Sequence, residues 1–519
     1  MASTPVHVAH PPLQGSARMW GTLALSSATF MNVLDTSIAN VSLPAIAGDL
    51  GVSPNQGTWV ITSFAIANAI ALPMTGWLSQ RIGQVRLFVT SVLLFVLASW
   101  LCGLAPNMST LIAFRALQGF VAGPMIPLSQ SLLLASYPPV MAGVAMATWS
   151  MTTLIAPIFG PLVGGWITDN IAWSWIFYIN IPVGLLSAVA CWTLYRKRES
   201  QVRILPIDVV GLVMLVVWIG SLQLVLDIGK EHDWFHSATV TTFAVVAGVV
   251  LVFFIIWELT DDHPVVELNL FRNRNFTVGT LAMSIGYALF FGNMVLVPLW
   301  LQQYMGYTAT QAGMVVAPVG LLAMVVAPFV GRNLHRVDPR YFATFAYLVI
   351  GLTMWMRSHF TIEADMATII IPTIIQGLGS SMFFIALVTI TLSGIPPERI
   401  PAATGLTNFA RITAGALGAS VSTTLWESRA ALHHAQLSES IHQGSLATQA
   451  TLGGLQAGGL SAEQSLALIN HMIDQQAFMM AANDIFLMSS VGFVGLIPLL
   501  WLTRPRRGAA SAAEAAAAH

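Results

Sequence analysis

The sequence predicts an all-α integral membrane protein of about fourteen transmembrane helices, two six-helix bundles with two extra helices between them. Three observations carry that prediction. The chain of 519 residues is 56% hydrophobic and only 8% charged. Soluble domains carry about 25% charged residues, so this chain cannot cover its surface against water. Apolar runs of roughly 20 residues, enough to cross ~30 Å of hydrocarbon, recur along nearly its whole length. The second half also echoes the first.

The expected spans are 18–41, 56–78, 85–105, 108–134, 141–167, 173–195, 208–228, 237–258, 276–303, 309–331, 341–357, 367–393, 400–425 and 484–502. Gly and Pro within them are ordinary in membrane helices. With both termini inside, 16 of the 21 Lys and Arg residues fall on the cytoplasmic side. Only Lys230, Arg357 and Arg429 fall outside, and Arg115 and Arg411 within spans. The positive-inside rule predicts such an imbalance. The first apolar run follows a polar, Pro-containing segment and has no small-residue cleavage site, so it reads as the first span rather than a signal peptide.

The organisation expected is a cytoplasmic tail (1–17), an N-terminal six-helix bundle (18–195), a linker (196–207), two extra helices (208–258) and a second linker (259–275). A C-terminal bundle (276–502) and a cytoplasmic tail (503–519) follow. Residues 427–483 interrupt the pattern of short connections with a polar stretch on the outer side. It carries helix-like stretches, Arg429 to Ser440 and Ala462 to Ala477, around a Gly-rich middle, and reads as a solvated hairpin or partly disordered loop, or as a docking element for a partner outside the membrane.

The repeat is visible in particular residues. Gln118-Gly119 precedes Pro138-Pro139 by twenty residues, and Gln376-Gly377 precedes Pro396-Pro397 by the same distance. Ala156 and Gly160 align with Ala414 and Gly418 at the interval that separates the two Gln-Gly pairs, and more loosely Gly76 and Arg81 align with Gly331 and Arg336. Parallel repeats with a binding site between them near the midplane are a transporter architecture.

Few ionisable residues lie inside spans: Asp35 in the first, Arg115 in the fourth and Arg411 in the thirteenth. A charge at the bilayer centre costs at least ~2.5–3.5 kcal/mol on insertion scales, which marks it as a functional candidate. Asp35 and Arg115 both fall toward the outer half of the first bundle. A moving pair there would load and release a proton; a static ion pair is the alternative. Asp227 and Asp484, at outer span ends, are further ionisable candidates, while Glu258, Asp261 and Asp262 read as a cytoplasmic cap. Trp59, Phe64, Asn68, Gln130, Trp149, Tyr287, Asn293, Met382 and Asn408 are candidates to line a substrate cavity. In the fifth span Pro157, Gly160, Pro161, Gly164 and Gly165 suit a bent, closely packed hinge or seal.

Other classes find no support in the residues. A net charge of −1 offers no global attraction for nucleic acid. Cys102 and Cys191 lie in apolar stretches and read as small buried hydrophobes. There is no Gly-x-Ser-x-Gly elbow, no intramembrane metal cluster and no Gly-x-x-x-x-Gly-Lys loop for ATP. No cofactor is expected.

These residues together resemble the major facilitator superfamily and, within it, the fourteen-span drug:proton antiporters. Leu34-Asp35-Thr36-Ser37-Ile38-Ala39-Asn40-Val41-Ser42-Leu43-Pro44 is similar to that subfamily's first-span signature. Gly76-Trp77-Leu78-Ser79-Gln80-Arg81-Ile82-Gly83 resembles the superfamily's loop motif, with Gln80 where an acid is usual. Arg115-Ala116-Leu117-Gln118-Gly119 resembles the fourth-span motif, in which the Arg is tied to proton coupling. The fifth-span run resembles the antiporter motif, with Ala156 for its first Gly. Trp173-Ser174-Trp175-Ile176-Phe177-Tyr178-Ile179-Asn180-Ile181-Pro182 is typical of the fourteen-span group. The resemblance covers roughly residues 18–505. It implies a proton-gradient-driven exporter of lipophilic drugs in a bacterial inner membrane. A periplasmic adaptor of the EmrA type and an outer-membrane channel of the TolC type would complete the assembly. Export of a native metabolite or siderophore, with drugs incidental, is the alternative.

Overall fold

In hydrocarbon every backbone amide needs an internal partner, which leaves helices or closed barrels as the spanning forms. This chain takes the first: among the described residues there is no strand. The computed structural model describes residues 11–504 apart from 53, 204–205, 230–231, 233, 335, 440 and 442–444. The expectations placed on residues 1–10, on Lys230, and on 505–519 with Arg506 and Arg507 lie outside the described residues. So does the side chain of Pro161.

The first half contains α1 (Gly15–Asp49), α2 (Pro54–Gly57), α3 (Trp59–Ala71), α4 (Thr75–Ile82) and α5 (Gln84–Gly103). It continues with α6 (Met108–Ala122), α7 (Met125–Ser136), α8 (Ala142–Asn170), α9 (Trp175–Tyr178) and α10 (Asn180–Tyr195). Two helices follow, α11 (Val209–Ile228) and α12 (Ala238–Thr260). The second half contains α13 (Arg274–Tyr304), α14 (Ala309–Val316), α15 (Pro318–Asn333), α16 (Pro339–Arg357) and α17 (Met366–Leu392). It ends with α18 (Ile400–Glu439), α19 (Leu446–Ala457), α20 (Ala462–Gly495) and α21 (Ile497–Trp501).

Ten helical segments are long and apolar enough to cross a membrane, or eleven if the bent pair α3–α4 is one span. The pair bends by 63° at Pro73, whose ring removes a backbone donor. Three further long helices, α1, α16 and α18, fall short of that apolarity. Their polar side chains turn inward: Thr29, Asn32 and Asp35 on α1, Thr353 and Arg357 on α16, and Thr404, Asn408 and Arg411 on α18 are all buried. A helix flanked by protein need not be apolar all round. At the other extreme, α12 buries only 17% of its apolar window against 72% for α17, which puts α12 at the periphery.

Packing partners recur between the halves. α1 packs on α8 and α10, α3 on α6, and α5 on α6; α13 packs on α18 and α20, α15 on α17, and α16 on α17. The halves meet where α8 touches α15 and α17, and where α18 touches α4 and α7. Missing side chains set these crossings. A Cβ at Gly76 would strike Ala402, one at Gly143 the Gly331 carbonyl oxygen, and one at Gly405 the Leu72 carbonyl oxygen at 2.6 Å.

In the stretch 427–483 the helix-like segments expected around a Gly-rich middle are continuations of the neighbouring long helices. α18 continues past residue 425 to Glu439, and α20 begins at Ala462 rather than near 484. At 1.5 Å per residue, the 40 residues of α18 span about 60 Å, twice the hydrocarbon thickness. The extensions pair along their length. Trp426 Nε1 donates to the Phe478 carbonyl (2.8 Å), and His433 Nε2 lies 2.9 Å from Asp484 Oδ2. Tyr304 stacks on Phe478 at 4.2 Å between centroids. Polar residues that read as a loop are the solvated faces of two long helices.

Candidate functional site

The first half closes around one carboxylate. Asp35, on the inner face of α1, meets Arg115 of α6 at 2.6 Å between Oδ2 and Nη1, with 1% of each side chain exposed. Asp35 Oδ1 accepts from Asn180 Nδ2 of α10 (2.7 Å) and Gln118 Nε2 (3.1 Å). Arg115 also donates from Nη1 to Gln118 Oε1 (2.6 Å) and from Nε to the Val60 carbonyl on α3 (3.1 Å). Its guanidinium lies 4.3 Å from the Phe64 ring centroid and 5.6 Å from that of Phe177. Ser99 of α5 accepts from Gln118 and Asn180 and donates to the Phe177 carbonyl.

An ion pair taken out of water survives only when the remaining lone pairs and protons find partners. Here α3, α5, α6 and α10 supply them. Removing either side chain would strand its partner, and a buried pair broken on one side costs roughly 3–5 kcal/mol.

Glycines let the helices reach each other. Gly119, one residue past Gln118, lies against the backbone of Phe64, where any Cβ would strike the carbonyl oxygen. Gly160 lies against Ser37, whose hydroxyl donates to the Pro157 carbonyl (3.2 Å), and a Cβ at Gly164 would stand 2.9 Å from Ile38. These contacts hold α8 against α1 two residues from Asp35. Gly165 has nothing within 4 Å of an added Cβ, so it has no part in that seam. α8 runs through its prolines as one helix, Ala142–Asn170.

The loop motif joins the halves. Gly83, with φ +98°, ends α4 and starts α5. Glu199 caps α5 by accepting from the Val85 and Arg86 amides. Gln80 donates to Glu267 (2.7 Å), which pairs with Arg399 at 3.5 Å. Arg81 stacks over Trp77.

The other candidates are placed as follows. Gln130 and Asn408 meet across the halves at 2.9 Å and line a small cavity with Met283 and Thr404. Asn408 accepts from Arg411, whose guanidinium lies over Tyr287 at 4.8 Å. Asn68 donates to the Gly119 carbonyl, and Trp149 donates to Ser129. Met382 is buried among apolar residues, Asn293 bonds Ser489, and Trp59 is exposed. Phe64 sits beneath Arg115 rather than in open space. Asp484 belongs to the α18–α20 extension, and Asp227 ends α11 with Oδ2 buried and unpartnered. Glu258, read with Asp261 and Asp262 as a cytoplasmic cap, is buried and accepts from the Val266 amide.

Ser99, Asn180 and Arg357 were not singled out from the sequence. Asn180 stands within the run Trp173–Pro182, but nothing in that run distinguishes it. Arg357 closes the expected span 341–357 and counts among three outer-side charges; it is buried at the end of α16. Alignment of the two halves is the signal that finds it.

A helical bundle whose halves repeat their packing partners, with a buried ion pair in one of them, has the form of a secondary transporter. A family model described as Major Facilitator Superfamily matches residues 25–419, and the chain belongs to that family of membrane transporters. The chain is 50% identical over 500 residues to the multidrug export protein EmrB of Haemophilus influenzae, covering 96% of this chain and 98% of that one. It is 48% identical over 499 residues to EmrB of Escherichia coli K12, with the same coverages. It is also 48% identical over 496 residues to the fatty acid resistance protein FarB of Neisseria gonorrhoeae, again over 96% and 98%. The human organic anion transporter MFSD10 shares the fold, with a TM-score of 0.60 at 12% identity over 95% of this chain and all of that one.

Proposed function

We propose that this chain exports lipophilic small molecules from a bacterial cell by exchanging them for protons. The observation that carries the reading is the sealed Asp35–Arg115 pair, a charge whose neutralisation frees its partner. The multidrug and fatty-acid resistance names of relatives near 50% identity supply the cargo class. Proton and drug each shift the inward–outward equilibrium by their differential affinity for its two states. Asp35 carries the proton, Arg115 tunes it, and Gln118, Asn180 and Ser99 hold the carboxylate in place.

The spanning count supports a fourteen-helix, six-plus-two-plus-six arrangement. The eleven apolar spans, with α3–α4 as one, join α1, α16 and α18. α11 and α12 lie between the two repeats, and both termini are cytoplasmic in an inner membrane. The α18–α20 extension then projects outward, where it suits an EmrA-type periplasmic adaptor leading to a TolC-type outer-membrane channel.

The test is drug efflux from proteoliposomes under an imposed pH gradient, acid on the outer side. Wild type is expected to export only when driven. Asp35→Asn is expected to lose driven export while still binding drug. An Asp35→Asn variant driven as well as wild type overturns the assignment of the carrier.

A further inference from the structure

Gln118 and Gln376 stand 258 residues apart (376 against 118), and the same interval carries Asp35 onto Asn293, Ser99 onto Arg357 and Arg115 onto Thr373. The structure assembles this second set as it does the first. Arg357 Nη2 donates to Gln376 Oε1 (2.7 Å) and Thr373 Oγ1 (2.9 Å). Asn293 Nδ2 donates to Ser489 Oγ of α20 (2.8 Å), as α10 contributes Asn180 in the first half. The second cluster keeps a glutamine and a guanidinium but moves the guanidinium to the neighbouring helix. Where the first has a carboxylate, it has an amide.

The exchange leaves a charge unanswered. Arg357 is 4% exposed, and among the described residues no carboxylate pairs with it. Its Nε has no hydrogen-bond partner, and neither has Asn293 Oδ1. Buried charges are normally paired, because leaving one alone is far more costly than leaving a neutral polar group. Arg357 and Asn293 line one cavity, with Gln376 beside them and Phe290, Met294 and Val297 on its apolar side. Its free interior is about 20 Å³, room for a head group of water-like size and not for a drug.

The geometry points to a recognition site for the carboxyl head of an amphipathic acid at Arg357 and Asn293. One oxygen accepts from Arg357 Nε–H. The other meets the Asn293 amide, which by rotating presents its donor to a carboxylate or its acceptor to a protonated acid. The acid brings the negative charge that Asp35 supplies in the first half; only its head fits the free interior, so its apolar body seats by displacing the Phe290 and Met294 side chains. An ammonium is repelled, and an alcohol accepts a hydrogen bond without neutralising anything. That the acid is cargo rests on the exporter reading; that the site binds it does not.

The experiment is calorimetric titration of the whole chain in lipid nanodiscs with 4-phenylbutyrate, 4-phenyl-1-butanol and 4-phenylbutylammonium, and separately with sodium chloride. The acid is expected to bind at least ~10-fold tighter than either match, as a charge-assisted hydrogen bond implies. Arg357→Gln is expected to remove that preference and Arg357→Lys to keep part of it. Asn293→Asp, which builds the missing charge into the protein, is expected to weaken acid binding at least ~10-fold without lowering the thermal midpoint. Equal affinities for the three probes, or an Asn293→Asp variant that binds acid like wild type, overturn the site; water alone then occupies it. Chloride binding as tightly as the acid, with the same dependence on Arg357, reassigns the site to an inorganic anion and overturns the acid. If the acid fails to bind while wild type still exports a neutral drug under a pH gradient, this inference falls and the exporter reading stands. If the acid binds as described but no gradient drives export, the reverse holds.

Discussion

Asp35 and Arg115 come from helices far apart in the chain and meet at 2.6 Å with almost no exposure to solvent. Asp35 also accepts from Asn180 and Gln118, and Arg115 donates to Gln118 and the Val60 carbonyl. Removing one partner therefore strands the other. Arg115→Met alone is expected to lower stability by roughly 3–5 kcal/mol, and Asp35→Asn by a comparable amount. The pair Asp35→Asn with Arg115→Met is expected to fall well short of the sum, because neither charge is then left alone. A double-mutant cycle of thermal unfolding in detergent checks this. Additive losses would mean that the two side chains do not depend on each other.

The α1–α8 seam sorts the fifth-span glycines. At Gly160 an added methyl strikes Ser37, two residues from Asp35, whereas at Gly165 it meets nothing within 4 Å. Gly160→Ala is expected to push α8 off α1 and cost about 1–3 kcal/mol, the range for overpacking, with driven efflux falling alongside. Gly165→Ala is expected to leave both efflux and melting near wild type. Equal damage at the two positions would show that motif membership, not contact, decides.

Most of the fold was legible because the bilayer imposes a length and a composition on each span. The exceptions have a common physical cause. α18 and α20 continue as helices past their apolar stretches, where apolar length no longer marks the end of a helix. Arg357 shows the converse: in sequence a charge at a span end looks the same whether it reaches water or folds back against Gln376. In the site, Asp35 and Arg115 stood out because charge inside an apolar run is conspicuous. Ser99 and Asn180 did not, since small polar residues are common in spans and only the three-dimensional path shows which of them face the carboxylate.

Two acids flagged by the same logic are expected to behave differently. Asp484 lies 2.9 Å from His433 and 3.9 Å from Arg429, and its side chain is 35% exposed. Partly solvated pairs contribute about 1 kcal/mol or less. Asp484→Asn is expected to retain proton-driven efflux in proteoliposomes within about twofold of wild type, while Asp35→Asn abolishes it. Loss of driven efflux at Asp484 would move proton uptake to the helical extension.

The extension itself separates transport from assembly. α18 and α20 pair through Trp426, Phe478 and Tyr304 at their base, leaving α19 and its flanks at the far end. Among the described residues, α19 packs on α20 and takes no part in the Asp35 cluster or the Gln130–Asn408 contact between the halves. Replacing 441–461 by a short Gly/Ser connection is therefore expected to leave driven efflux from proteoliposomes unchanged. Under the proposed assembly, the same change is expected to sensitise intact cells to lipophilic drugs, because an exporter without its adaptor contact would release cargo into the periplasm, from which it re-enters. Efflux and cell survival measured side by side distinguish the outcomes. Loss of both would place the extension within the transport cycle, and loss of neither would remove it from the route to the outer membrane.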